Sequence, residues 1–165
     1  MFSREELAQA CIKWGRLLAM PAGIDGAKLL WALSGNESSF GENCKPRHEP
    51  YYHALAESGK NAQLNELTKL FACDAHSSFG PWQILLVNCA KGTRPEDFIN
   101  LDRCAVQTVN FINRRILLAE KAQTVAEIAD AYNSGDWRDR QPASVAKYVA
   151  DCQRYYDTEP MLAVV

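Results

Sequence analysis

Apolar residues recur at helical spacing along most of this 165-residue chain, and that periodicity constrains the fold more than any other feature. Near the start of the chain, Ser3 and Glu6 have the spacing of a capping box and precede an apolar stripe. A second capping box stands at Thr124 and Glu127. The sequence shows no strand-like alternation, internal repeat or linker. It therefore predicts a single compact, mainly α-helical domain over residues 1–165.

The same periodicity predicts the remaining helices. Asp25 is expected to cap the second helix, and residues 54–72 are expected to form another one. Residues 101–118 predict a long helix, and a last helix follows Pro142. Glycine and proline residues near the middle of the chain predict an irregular insertion at about residues 36–53.

Composition and charge exclude several classes of protein. A hydrophobic content of 47% with 23% charged residues argues against an intrinsically disordered chain. The net charge of −2 argues against a dense basic surface for nucleic acid, and no apolar stretch approaches the ~20 residues needed to span a bilayer. Residues 1–6 lack the pattern of a secretory signal, so we expect synthesis in the cytoplasm and no nucleic-acid or membrane partner.

The chain contains six cysteines and three histidines, residue types that can form disulfides or bind zinc. The six cysteines include no Cys-x-x-Cys pair, which favours free, mostly buried thiols. Zinc-ligand types occur at Cys44, His48, Glu49, His53 and within residues 73–76, but their spacing matches no zinc motif. We therefore expect neither a metal site nor a cofactor.

Three polar segments interrupt the helical stripes where a plain core would continue. The first contains Glu37, which follows an apolar stripe that includes Leu29 and Leu33. Apolar surroundings raise the pKa of a carboxyl group, and such a group can protonate a poor leaving group such as a glycosidic oxygen. The segments are Asn36-Glu37-Ser38-Ser39-Phe40, Ser77-Ser78-Phe79-Gly80-Pro81-Trp82-Gln83-Ile84 and Ala131-Tyr132-Asn133-Ser134-Gly135.

In order and spacing, these segments resemble the motifs E-S-x-F, G-L-M-Q-[IV] and A-Y-N-x-G of the lysozyme-like lytic transglycosylases and goose-type lysozymes. The resemblance spans about residues 25–157 and departs from the family at Pro81-Trp82, where Leu-Met is usual, and at Ser134. It implies a lysozyme-like α+β fold with a catalytic cleft. It also implies cleavage of the β-1,4 bond between N-acetylmuramic acid and N-acetylglucosamine in peptidoglycan, with Glu37 as the general acid.

A fourth segment, Arg47-His48-Glu49-Pro50, is similar to an R-F-E-P element in a phage-associated branch of that family. Together with the absence of a secretory signal pattern, this resemblance favours an enzyme that acts on the cell wall, either as an endolysin released by a holin or as a component of the virion. We expect the protein to be a monomer. Glycan strands of peptidoglycan are the implied partner.

The reaction outcome depends on a second group. In a transglycosylase the ionised Glu37 takes a proton from the muramic acid 6-hydroxyl, and an anhydro product forms. An inverting hydrolase needs a second carboxylate to hold water. The candidates are Glu49 and Asp74, and the family resemblance at Asp74 favours hydrolysis. The transglycosylase reaction is nevertheless the first prediction, and the inverting hydrolase is the alternative. Each carboxylate also has a structural alternative, which is a salt bridge. Glu49 could pair with Arg47 or another arginine, and Asp74 could pair with a nearby lysine such as Lys69.

Five further residues are expected to bind substrate. Gln83 and Asn133 offer amides suited to the N-acetyl and hydroxyl groups of an amino sugar, and Ser78 could line the same cleft. Tyr132 is expected to stack on a sugar and to hydrogen-bond the catalytic carboxyl, and Trp82 is expected to stack on a sugar ring. A competing interpretation is an inactive saccharide-binding or scaffold module with the same fold.

Overall fold

The computed structural model describes residues 2–135, 138, 142–158 and 161, and within them seven α-helices accompany a three-stranded sheet. Short 3₁₀ helices span Ala72–His76, Leu86–Asn88 and Pro95–Ile99, and a π-helix over Ile112–Ala119 continues the fifth α-helix. The predicted mainly α-helical fold class is confirmed. In chain order the elements are α1 (Arg4–Gly15), α2 (Gly26–Ser38), β1 (Arg47–His48), α3 (Pro50–Glu57), α4 (Ala62–Phe71), β2 (Ser77–Phe79), β3 (Ile84–Leu85), α5 (Leu101–Phe111), α6 (Val125–Ser134) and α7 (Ala143–Thr158).

The helix α2 is the centre of the core. It packs against both α1 and α7, and its side chains from Leu29 to Leu33 are buried on every side. A helix that is apolar all round is stable in water only when other elements cover it. A close backbone approach joins α1 to α2, because a Cβ atom on Gly15 would lie 2.4 Å from the Ala27 nitrogen.

Local hydrogen bonds begin three helices, α1, α2 and α6, where the sequence predicts. The Ser3 and Glu6 capping box starts α1, and the Thr124 and Glu127 capping box starts α6. The carboxylate of Asp25 accepts hydrogen bonds from two backbone N–H groups at the start of α2. These bonds satisfy N–H groups that have no partner inside the helix.

Two expectations for the middle of the chain are wrong. Residues 54–72 do not form one helix, because the chain turns at Gly59, with a φ of 68°, and Asn61 then caps α4 as a separate helix. The insertion at residues 36–53 is also not wholly irregular, since it contains β1 and the first residues of α3.

The antiparallel sheet, with strand order β1-β2-β3, is not predicted by any alternating pattern in the sequence. Its strands have two or three residues each, too few to produce an alternating pattern. Arg47 pairs with Ser78, and Ser78 pairs with Leu85. The turn between β2 and β3 requires Gly80, because its φ is 73° and a Cβ atom there would lie 2.9 Å from the Cys104 sulfur.

The cysteines and the helix lengths complete the description. All six cysteines are free thiols, as expected, but only three of them are buried; two are half-buried and Cys73 is exposed. None of the helices in the described part of the chain combines the length and the apolar character needed to cross a membrane.

Candidate functional site

A cavity of about 290 Å³ opens beside the last turn of α2 and is also lined by residues of the sheet, the π-helix and the C-terminal end of α6. It brings together six of the eight predicted site residues from segments that are far apart in sequence. Those six are Glu37, Glu49, Ser78, Gln83, Tyr132 and Asn133.

Glu37 is the most buried acid of this cavity, with a side chain that is 7% exposed. Burial raises its pKa to about 7, because a desolvated carboxylate loses the hydration that stabilises its charge. The positive charge of Arg47 and a hydrogen bond from Tyr148 oppose this shift. The Tyr148 hydroxyl donates to Oε1 of Glu37 at 2.8 Å, and Nη2 of Arg47 lies 3.3 Å from Oε2.

Arg47 lies between two carboxylates of the cavity. Besides its contact with Glu37, its Nε donates a hydrogen bond to Oε1 of Glu49 at 2.8 Å. The Glu49 side chain is 25% exposed, and its Oε1 also lies 2.8 Å from the Ser78 hydroxyl. The salt bridge from Glu49 to Arg47, which is the structural alternative for Glu49, is thus present. Because both carboxylates contact the same guanidinium, Glu49 belongs to the same site as Glu37.

Gln83 occupies a constrained position at the edge of β3. Its φ of 44° is unusual for a residue other than glycine, and its Nε2 donates a hydrogen bond to the Gly80 carbonyl at 2.9 Å. Its Oε1 lies 2.9 Å from the hydroxyl of Ser78, which has a single proton to share between Gln83 and Glu49. The turn between β2 and β3 therefore orients both amide atoms.

Tyr132 lines the cavity but does not bond to the catalytic candidate. Its hydroxyl donates to the Trp82 carbonyl oxygen at 2.7 Å, and its ring packs edge-on against Phe111. The expected hydrogen bond from Tyr132 to Glu37 is therefore wrong, because Tyr148 on α7 makes that bond.

Trp82 is not a stacking surface for a sugar. Its side chain is fully buried in the core, and its indole nitrogen donates to the Leu30 carbonyl oxygen at 2.8 Å. The expectation that it stacks on a sugar ring is wrong, because the ring does not reach the cavity. This residue instead ties the turn between the strands to the central helix.

Asp74 is also outside the site. It is exposed on the 3₁₀ helix Ala72–His76 and does not line the cavity. The structural alternative, a salt bridge from Asp74 to Lys69, is not formed either, because Lys69 pairs with Glu66 at 2.7 Å. A position that cannot reach the cavity cannot supply the second carboxylate for a reaction beside Glu37.

Sequence reasoning missed several polar groups of the site. Tyr148 belongs to the apolar stripe of the helix predicted after Pro142, and a hydroxyl on such a stripe indicates a buried polar partner. The π-helix was not predicted at all. Its spacing of five residues sets Arg115 and Glu120 one turn apart on the cavity wall, and such helices often occur at functional sites.

The three histidines of the chain lie together outside the cavity. Nδ1 of His53 and Nδ1 of His76 are 3.1 Å apart, and the His48 ring is within 6.4 Å of both other rings, measured between ring centroids. No group of three or more histidine, cysteine, aspartate or glutamate residues in the described ranges is arranged to hold a metal ion.

The arrangement can perform acid–base chemistry on a bound polar ligand. With a pKa of about 7, the carboxyl group of Glu37 can donate a proton near neutral pH. A second carboxylate, that of Glu49, contacts the same Arg47 guanidinium. Comparison of this chain with protein-family models, with curated proteins and with solved structures finds no match in any of the three.

Proposed function

We propose that this protein cleaves the glycan strands of peptidoglycan at the β-1,4 bond between N-acetylmuramic acid and N-acetylglucosamine, with Glu37 as the general acid. The observation that carries the proposal is the state of Glu37. It is a buried carboxyl with a pKa of about 7, and it lines a cavity with residues of the other two motifs. The resemblance of the motifs to those of the lytic transglycosylases and goose-type lysozymes supplies the substrate class.

The first step uses the protonated carboxyl. Glu37 transfers its proton to the glycosidic oxygen, the bond from that oxygen to the anomeric carbon breaks, and positive charge develops on the sugar ring. Glu37 is left as a carboxylate. Arg47 and Tyr148 then stabilise its negative charge through the contacts that they already make.

In the transglycosylase form, the second step needs no other protein group. The Glu37 carboxylate takes the proton of the muramic acid 6-hydroxyl, and the freed oxygen bonds to the anomeric carbon. The product is a 1,6-anhydro sugar and no water is consumed. Glu37 returns to its protonated form, which its raised pKa favours.

The hydrolytic form is the second candidate, and the position of Glu49 favours it. An inverting hydrolase requires a second carboxylate in the same cavity, roughly 6.5–9.5 Å from the acid, to hold a water molecule on the opposite face of the ring. Glu49 lines the cavity and is joined to Glu37 only through the guanidinium of Arg47. Asp74 is not retained for this role because it lies outside the cavity.

The test is digestion of purified peptidoglycan followed by mass spectrometry of the released fragments. Glu37→Gln should abolish release, whereas Glu66→Gln, on the exposed face of α4, should not change it. Fragments lighter by one water than the hydrolytic products identify the transglycosylase form, and reducing ends identify the hydrolase.

The same experiment decides against the proposal if Glu37→Gln releases fragments as fast as the parent protein. A parent protein that binds peptidoglycan without releasing any fragment would instead support the inactive saccharide-binding module. Both results come from the same digest. The sugar released into solution measures cleavage, and the protein that sediments with the insoluble peptidoglycan measures binding.

A further inference from the structure

A second cavity, of about 320 Å³, adjoins the one that contains Glu37. The two cavities share Tyr52, Asn88 and Arg115 in their linings, so a ligand can pass from one to the other without leaving the protein surface. The second cavity extends toward Tyr51 on α3 and Asn61 at the start of α4.

Arg115 is the only charged residue that lines this second cavity within the described part of the chain. It stands on the π-helix, at the boundary of the two cavities. Its guanidinium has no salt bridge or hydrogen bond to any other described residue, whereas Arg47 is held between Glu37 and Glu49. Within the described residues no side chain pairs with this charge, so the second cavity has a net positive charge.

The uncharged lining of this cavity also offers hydrogen-bond donors. The side chain of Asn88 forms no hydrogen bond to a described residue, and the Asn61 side chain uses only its oxygen, which caps α4. Tyr52 presents a hydroxyl beside them. The ring of Tyr51 is 71% exposed and stands perpendicular to Tyr52, with centroids 5.3 Å apart. Donors around an unpaired arginine suit a carboxylate, and the exposed ring suits an apolar group next to it.

We propose that the second cavity binds the carboxylate-bearing peptide branch of the glycan strand while the sugar occupies the cavity of Glu37. This inference rests on the proposed function. Muramic acid carries a peptide on its lactyl group, and free carboxylates of that peptide offer two oxygens that match the planar guanidinium of Arg115. The peptide must extend out of the cavity that holds the sugar. The boundary at Arg115 is open to the second cavity, and its positive charge complements the carboxylates of the peptide.

The kinetic test compares peptide-bearing glycan strands with strands from which an amidase has removed the peptides. The quantity compared is kcat/KM for peptide-bearing strands divided by kcat/KM for peptide-free strands. Arg115→Gln should lower this ratio by about tenfold to a hundredfold, mainly by raising KM for the peptide-bearing strands, because it removes a charged hydrogen-bonding partner. The matched control is Arg114→Gln. Arg114 is the exposed neighbour on the same helix and lines neither cavity, so its variant should keep the parental ratio. An unchanged ratio in Arg115→Gln overturns the inference.

A binding test separates this inference from the proposed function. The probe is the free tripeptide L-alanyl-γ-D-glutamyl-diaminopimelate, titrated calorimetrically into the parent protein and both arginine variants. Binding that is lost in Arg115→Gln and kept in Arg114→Gln supports the peptide site even if the protein cleaves no glycan. Absence of binding to the parent protein at millimolar peptide, or equal binding to both variants, overturns it.

Discussion

The hydroxyl of Tyr148 donates a hydrogen bond to Oε1 of Glu37 at 2.8 Å, and this bond joins α7 to the last turn of α2 across 111 positions of the chain. A second contact fixes the same pair of helices, because the side-chain amide of Asn36 donates to the Tyr148 carbonyl oxygen at 2.8 Å. The carboxyl group proposed to protonate the substrate is therefore oriented by a helix that contributes no residue to the cavity lining.

The first prediction concerns the proton affinity of Glu37. The hydrogen bond from Tyr148 lowers the pKa of Glu37 and so opposes the effect of burial. Tyr148→Phe should therefore raise this pKa further and move the alkaline fall in kcat/KM, expected near pH 7, to higher pH. The measurement is the pH profile of peptidoglycan cleavage.

The control for that profile is Tyr156→Phe on the same helix. Its hydroxyl accepts a hydrogen bond from the Asp25 backbone and does not contact Glu37. This variant should lower stability without moving the alkaline limb. If both variants shift the alkaline fall in kcat/KM by the same amount, the effect comes from the packing of α7, and the orienting role of Tyr148 is refuted.

The second prediction concerns the stability cost of the same carboxyl. The folded-state pKa of about 7 lies above the ordinary value of 4.5, so between these pH values the folded state holds a proton that the unfolded state has released. The free energy of unfolding should fall as pH rises through this window, by about 3 kcal/mol in total. Relative to the parent protein, Glu37→Gln should raise the free energy of unfolding by up to about that amount at pH 8 and should not change it at pH 4.

Denaturant unfolding at the two pH values measures this difference, with the exposed Glu66→Gln as the reference variant. A Glu37→Gln protein that is less stable than its parent at pH 8 would show that ionised Glu37 stabilises the fold, contrary to this expectation.

The third prediction distinguishes the two candidates for a second carboxylate. Glu49→Gln should lower the cleavage rate by about 100-fold or more if Glu49 is the general base of a hydrolase. A smaller loss is expected if it only positions Arg47. Asp74→Asn should keep the parental rate within about twofold, because surface changes away from a site rarely alter it. A large loss in Asp74→Asn would contradict the cavity assignment.

The fourth prediction concerns the junction of α2 with the turn between β2 and β3. The buried Ser38 hydroxyl donates to the Pro81 carbonyl oxygen at 2.7 Å and accepts from the Gly41 N–H at 2.9 Å. Ser38→Ala leaves two buried backbone groups without a partner and should lower the free energy of unfolding by about 1–3 kcal/mol. The exposed Ser144→Ala is the control, and equal stability of the two variants would refute the expectation.

The fifth prediction concerns His76, which is buried beside His53 and His48. Burial and then the two neighbouring histidines lower its pKa below 6.5, whereas Glu57 acts in the opposite direction. The unfolded state therefore binds a proton first as pH falls through 6.5, and acid destabilises the fold through this group. The stability difference between the parent protein and His76→Gln should shrink from pH 8 to pH 5. A constant difference over that range would contradict this prediction.

The amino-acid sequence by itself determined the starts of α1, α2 and α6. The caps at Ser3, Asp25 and Thr124 form between residues two or three positions apart, so their hydrogen bonds depend only on local chemistry. The position of Glu37 at the end of an apolar helix was predictable for the same reason, because helical periodicity alone sets it.

Only the tertiary structure decided which polar groups meet in the cavity. The partners of Trp82, Tyr132 and Tyr148 lie 52, 50 and 111 positions away in sequence, and no local pattern specifies which of these side chains turns toward the core and which toward the cavity. The packing of α7 against α2 chose Tyr148 over Tyr132 as the donor to Glu37. Trp82 is buried because the turn between β2 and β3 lies against α2, and Asp74 is exposed because the 3₁₀ helix Ala72–His76 places it outside the cavity.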